Sequence, residues 1–116
     1  MLKDAELLLR EGRYESSINR SYYAALTAAK GLLILFGVDP KTHEGVKTML
    51  GKNLIMAGYM SKDSGKWFRS LLFEREDVDY ADFVMIDKDD ASEAYDNAVS
   101  FVDEAKKAAR KIIKEI

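Results

Sequence analysis

The stretch "YESSINRSYYAALTAAKGLLILF", residues 14–36, decides the fold. Ile18, Tyr22, Ala25, Ala29, Leu32, Leu33 and Phe36 recur in it at three- and four-residue spacing, the period of a helix with one apolar face. A stripe that long suits the central member of a helical bundle. Gly37 and then Pro40 follow it, the order in which a helix is stopped and prevented from restarting.

The same rhythm extends outward on both sides. Upstream, Leu2, Ala5, Leu8 and Leu9 predict a short amphipathic helix that ends at Gly12, and a helix this short leaves room for a longer native start. Downstream, Thr42 is placed to cap a helix whose face is Val46, Met49, Leu50, Leu54 and Ile55, with Gly58 at its end. Ser61 is placed to cap a fourth helix carrying Trp67, Phe68, Leu71 and Leu72. Residues 79–88 read as a loop, and Asp90-Ala91-Ser92-Glu93 fits a capping box that opens the last helix. Ala94, Tyr95, Ala98, Phe101, Val102, Ala105, Ala109, Ile112 and Ile116 form the face of that helix. Its many late lysines and arginines suit the negative end of the helix dipole. Gly31, Gly45 and Gly51 sit singly in helical pattern and read as packing glycines. No segment sustains the period-two alternation of a strand. The prediction is an all-α, up-and-down bundle of four to five helices, one domain over residues 1–116.

Composition narrows the chemistry. The 116 residues are 47% apolar and 33% charged, a globular balance with enough length for one core. There is no cysteine and a single histidine, His43, so disulfides, thiolate metal sites and paired-histidine sites within one chain are excluded. No cofactor is expected, since the phosphate-loop lysine and the dinucleotide glycine fingerprint are both missing. The longest apolar run, residues 31–38, is too short to span a bilayer, and no signal pattern opens the chain, so the expected location is cytoplasmic. Charge is unevenly spread. Residues 73–104 hold twelve acidic against two basic side chains, a net −10, which leaves +8 for the remainder of a chain whose total is −2. The acidic block repels nucleic acid, whereas the basic remainder attracts it.

Three local clusters carry candidate chemistry. In "RSYYAAL", residues 20–26, Tyr22 lies on the core stripe with Arg20 and Tyr23 at its edge, and a buried Tyr22 hydroxyl needs a partner. In "KTHEGV", residues 41–46, His43 opens a helix, where the dipole favours a neutral imidazole able to accept a proton, while Glu44 pushes the other way. In "FEREDVDYADF", residues 73–83, Arg75 continues the stripe of Phe68, Leu71 and Leu72. A guanidinium there must be paired, or must face a groove or a subunit interface. Asp79 is one helical turn on, within reach of an ion pair. Each cluster also has a plain structural reading: an aromatic core, a capping histidine, a helix-end ion pair.

Taken together, "GRYESSINRSYYAALTAAKGLLILFG", "KTHEGV", "LLFEREDVDYADF" and the late "AVSFV" resemble the HEPN (higher-eukaryote and prokaryote nucleotide-binding) domain family, in its compact stand-alone branch. The resemblance implies a helical bundle that forms a homodimer through long helices. It also implies a minimal nucleotidyltransferase as partner protein, in pairs that behave as toxin and antitoxin. Ribonuclease members carry an Arg-x4-6-His motif and cleave RNA without metal in the dimer cleft. Arg75 maps onto that arginine. At the histidine's spacing this chain has Tyr80, Ala81 and Asp82, and Asp79-Tyr80 matches the "DY" of the stand-alone branch. The resemblance therefore implies a cleft that binds a nucleotide or RNA phosphate through Arg75, with Tyr80 stacking or donating a hydrogen bond. Arg20, Tyr22, Tyr23 and Asp79 would line or support it. An active metal-independent ribonuclease, with His43 as its base, and a non-catalytic helical adaptor are the alternatives.

Overall fold

The computed structural model describes residues 1–80 and 86–116, the side chains of 76–80 excepted. Among the described residues five α-helices follow in order: α1 (Leu2–Arg10), α2 (Tyr14–Ile34), α3 (His43–Met49), α4 (Lys62–Tyr80) and α5 (Lys88–Glu115). No strand occurs among the described residues. The molecule is an all-helical bundle, as its periodicity predicts. α5 is 28 residues long, about 42 Å at 1.5 Å per residue, and so runs nearly the full 45 Å of the long axis. α2 lies along it, α1 and α4 pack against both, and α3 closes over α2 and α4.

One continuous core joins the predicted stripes. Ile18, Tyr22, Ala25, Ala29 and Leu33 of α2 meet Phe68, Leu71 and Leu72 of α4 and Ala94, Ala98, Phe101 and Ile112 of α5, all buried. The alanines bring α2 and α5 close together, and the three aromatics fill what they leave. Tyr22, Phe68 and Phe101 form a chain of tilted rings at centroid separations of 5.9 and 5.6 Å. Ser17, also buried, donates to the Ala5 carbonyl at 2.7 Å and ties α1 to α2.

Two stripe ends depart from expectation. Phe36 is 39% exposed, because α2 stops two residues earlier. Gly37 adopts φ +72°, and the Gly37 and Val38 amides donate back to the Ile34 and Leu33 carbonyls. That Schellman turn reverses the chain and swings Phe36 outward onto Tyr59. Ile116, past the end of α5, is likewise exposed.

The third apolar face begins as α3 but continues as a π-helical segment, Leu50–Ile55, in which the Met56 amide reaches the Gly51 carbonyl. Leu50 and Leu54 still point inward, so tertiary packing preserves the predicted face while the backbone pitch changes. Of the three predicted packing glycines, only Gly45 is tight: a Cβ there would lie 3.0 Å from Thr42 Oγ1 and 3.1 Å from Pro40 Cβ. Gly31 and Gly51 have open space around them.

The cap of α5 is also shifted. Asp87 and Asp90, not Asp90 and Glu93, form the box: Asp90 N–H donates to Asp87 Oδ1 at 2.9 Å and Asp87 N–H to Asp90 Oδ2 at 3.2 Å. Ile86 decides this. It packs on the core just before the cap and one turn below buried Ala91, a hydrophobic staple that sets where the helix begins. At the other side of the expected loop, α4 continues to Tyr80. The predicted caps at Thr42 and Ser61 are present, with the Gly45 amide donating to Thr42 at 2.9 Å and the Ser64 amide to Ser61 at 3.2 Å.

Candidate functional site

Three helices converge on the Tyr22 ring. Tyr22 is fully buried on the core face of α2, and Phe68 of α4 lies beside it. Its hydroxyl shares a hydrogen bond with Nδ1 of His43, the first residue of α3, 21 positions away. Thr42 caps α3 and Gly45 lets Pro40 lie against it, so the imidazole is held at a short, anchored helix start. The buried hydroxyl thus has the partner its position demands, and His43 occupies ground where spacing alone could not put it.

Arg75 meets the same ring from α4. It continues the stripe of Phe68, Leu71 and Leu72 as predicted, and it is half-buried. Its guanidinium carbon lies 5.5 Å from the Tyr22 centroid and 5.6 Å from that of Tyr23, while Nη2 donates to the Tyr23 hydroxyl at 3.3 Å. The two tyrosines meet edge to face at 5.4 Å and 70°. Their π faces stabilise the cation by about 0.5–2 kcal/mol, the more so as it is withdrawn from water. Tyr22 therefore touches a histidine at its hydroxyl and an arginine at its ring.

The other candidates fall out differently. Arg20 is exposed, and among the described residues no hydrogen bond, ion pair or ring contact joins it to this cluster. Its place at the stripe edge turns it to solvent within this chain. Asp79 and Tyr80 lie outside the residues whose side chains are described. Phe68, which supports Tyr22, was visible only as a core residue, because nothing local distinguishes a ring beneath a site from any other buried ring.

A guanidinium, a tyrosine hydroxyl and an imidazole in one place are suited to an anion with exchangeable protons. Arginine offers a planar fork that matches phosphate oxygens. His43, engaged through Nδ1, keeps Nε2 for a second partner. Beside it is a cleft of about 50 Å³ lined in part by Lys30, Lys41 and Thr42, room for one or two waters. Among the described residues no group of three or more His, Asp or Glu side chains could hold a metal. Much larger grooves lie away from this cluster. One, about 570 Å³, runs between α1, α2 and α5, and another, about 740 Å³, between the π-helical segment and α4.

In this helical bundle a core tyrosine thus links the histidine that opens α3 to the arginine that continues the α4 stripe. Residues 1–113 match the sequence profile of the HEPN domain, and the chain belongs to that family. It is 29% identical to a UPF0332 protein of Thermotoga maritima over 99% of this chain and 84% of that one. With a UPF0332 protein of Archaeoglobus fulgidus the identity is 32%, over 96% of this chain and 88% of the relative. A Methanocaldococcus jannaschii relative named "Putative toxin MJ0605" is 31% identical over 97% of this chain and 83% of its own length. Among the described residues no helix is long and apolar enough to cross a membrane.

Proposed function

We propose that this chain is a toxin-type HEPN protein that binds the phosphate of a nucleotide or RNA at Arg75, acting in the cytoplasm as a homodimer with a minimal nucleotidyltransferase as partner. The observation that carries the binding site is Arg75 held over Tyr22 and Tyr23. Two rings keep the cation oriented, so an incoming phosphate meets a preset fork. The toxin role is supported by family membership and by the name of the Methanocaldococcus relative. The dimer is supported by the groove between α1, α2 and α5, floored by Ala24, Ala28, Gly31 and Ala105, whose small side chains would admit a partner helix closely.

Cleavage of RNA is the second reading, and the Tyr22–His43 contact favours it. His43 would take the proton of a ribose 2′-hydroxyl as that oxygen attacks the adjacent phosphorus. Arg75 would stabilise the charge gathering on the phosphoryl oxygens, and the 5′-oxygen would leave with a proton, giving a cyclic phosphate.

One set of measurements tests both. The pure protein and its Arg75→Ala variant are titrated with a mononucleotide and separately incubated with RNA in EDTA. Phosphate binding predicts a mononucleotide affinity at least about 10-fold weaker in the variant, the loss of one charged hydrogen-bonding group. Equal affinities would remove Arg75 from the site. Cleavage by wild type alone would establish the second reading; equal background in both would end it. In light scattering, the dimer predicts a mass of twice 13.1 kDa.

A further inference from the structure

Most of the basic remainder of the chain lies away from the Arg75 site, and four of its cations gather in one place. The groove between the π-helical segment and α4 is lined by Lys52, Lys62, Lys66 and Arg69, and among the described residues no acidic side chain lines it. Among the described residues none of these four cations forms an ion pair. Four other cations are matched, in Arg10–Glu6, Lys41–Asp39, Lys47–Glu44 and Lys107–Asp103. Four unmatched cations facing one groove repel one another, and their field draws in a polyanion.

The groove is built by close packing. At Gly65 a side chain would begin 2.9 Å from Ile55 Cδ1, so the π-helical segment is seated directly against α4 there. The Arg69 guanidinium folds back to within 3.8 Å of the same point and so lies over this junction. Lys62, Lys66, Arg69 and Phe73 follow at intervals of four, three and four residues, one stripe on the outer face of α4. Phe73 is 65% exposed, a large ring with no core to fill. Beyond it the acidic stretch begins, which limits a polyanion to the side of the stripe that carries the cations.

We infer that this groove is a binding track for single-stranded RNA, with Lys52, Lys62, Lys66 and Arg69 on the phosphodiester backbone and Phe73 stacking on a base. An exposed ring at the end of a cationic stripe distinguishes this assignment from an acidic peptide, because bases stack on aromatics and carboxylates do not. The choice of RNA rests on the phosphate-binding function proposed above. The cationic track does not involve Arg75, which lies on the inner face of the same helix.

The test uses a fluorescent 20-nucleotide uridine oligomer, titrated at several salt concentrations, with circular dichroism to establish that each variant is folded. Each neutralised phosphate contributes about −0.7 to the slope of log affinity against log salt for a single strand. Four contacts predict a slope near −2.8, and the Lys52→Gln/Lys66→Gln/Arg69→Gln variant should flatten it by about 2. Phe73→Ala should weaken binding about 10-fold at any salt and leave the slope unchanged. An unaltered slope in the triple variant, no weakening in Phe73→Ala, or a poly-glutamate peptide of equal length binding as tightly as RNA would each overturn the assignment. Mononucleotide binding reads the Arg75 site separately. Unchanged mononucleotide affinity in Arg75→Ala fails the first inference alone; lost mononucleotide affinity there, with an unaltered RNA salt slope in the triple variant, fails the second alone.

Discussion

The two faces of α4 hold cations in opposite conditions. On the inner face Arg75 ends a stripe of Phe68, Leu71 and Leu72 and lies over two tyrosine rings, half-withdrawn from water. On the outer face Lys62, Lys66 and Arg69 stand exposed along a groove. Burial makes the first a directional group, whose geometry is set before any ligand arrives and whose field is little screened by salt. Exposure makes the others a diffuse field, strong at long range and sensitive to salt. One helix can therefore offer selection at a point and attraction along a line, and the 3.6-residue period keeps the two apart.

The comparison breaks most decisively at the inner face. Phe68→Ala removes a fully buried ring packed between Tyr22 and Phe101, and the loss should be about 3–5 kcal/mol in urea unfolding. A cost under about 1 kcal/mol would mean that the aromatic chain does not hold the site. By contrast, replacing Arg69 on the outer face should change stability by less than about 0.5 kcal/mol, since its side chain is exposed and forms no ion pair among the described residues.

A smaller effect sharpens how the inner site is held. Tyr22→Phe keeps the ring beneath Arg75 but deprives His43 Nδ1 of its partner. The expected cost is about 1 kcal/mol, because half-buried His43 recovers part of the lost hydrogen bond from water. Mononucleotide binding should survive this change if Arg75 alone carries the phosphate. RNA cleavage, if present, should fall with it, because the imidazole loses the contact that orients it.

Much of this was legible from spacing. The apolar faces of α1, α2, α4 and α5, the glycine stops and the caps at Thr42 and Ser61 are all local properties, and all are present. So is Arg75's place on the apolar stripe. The exposure of Arg20 was not legible, because a stripe edge can turn inward or outward, and only the packing of neighbouring helices decides which. The Asp90–Glu93 box misled for a related reason: several acidic residues near the start of α5 can cap it, and the docking of Ile86 selects Asp87. The π-helical segment has no marker in the chain, since its apolar residues fit an α-helix equally well.

By itself, the amino-acid sequence determined that this chain is helical, which face of each helix is apolar, and that an arginine continues one of those faces, because period, capping and glycine breaks act within a few residues. Tertiary structure alone decided that Tyr22 would join His43, 21 residues on, and that Tyr23 would meet Arg75, 52 residues on. It likewise decided that Lys52 would face Lys66 and Arg69 across one groove. Such meetings depend on how helices pack around the shared core, and no local pattern encodes that geometry.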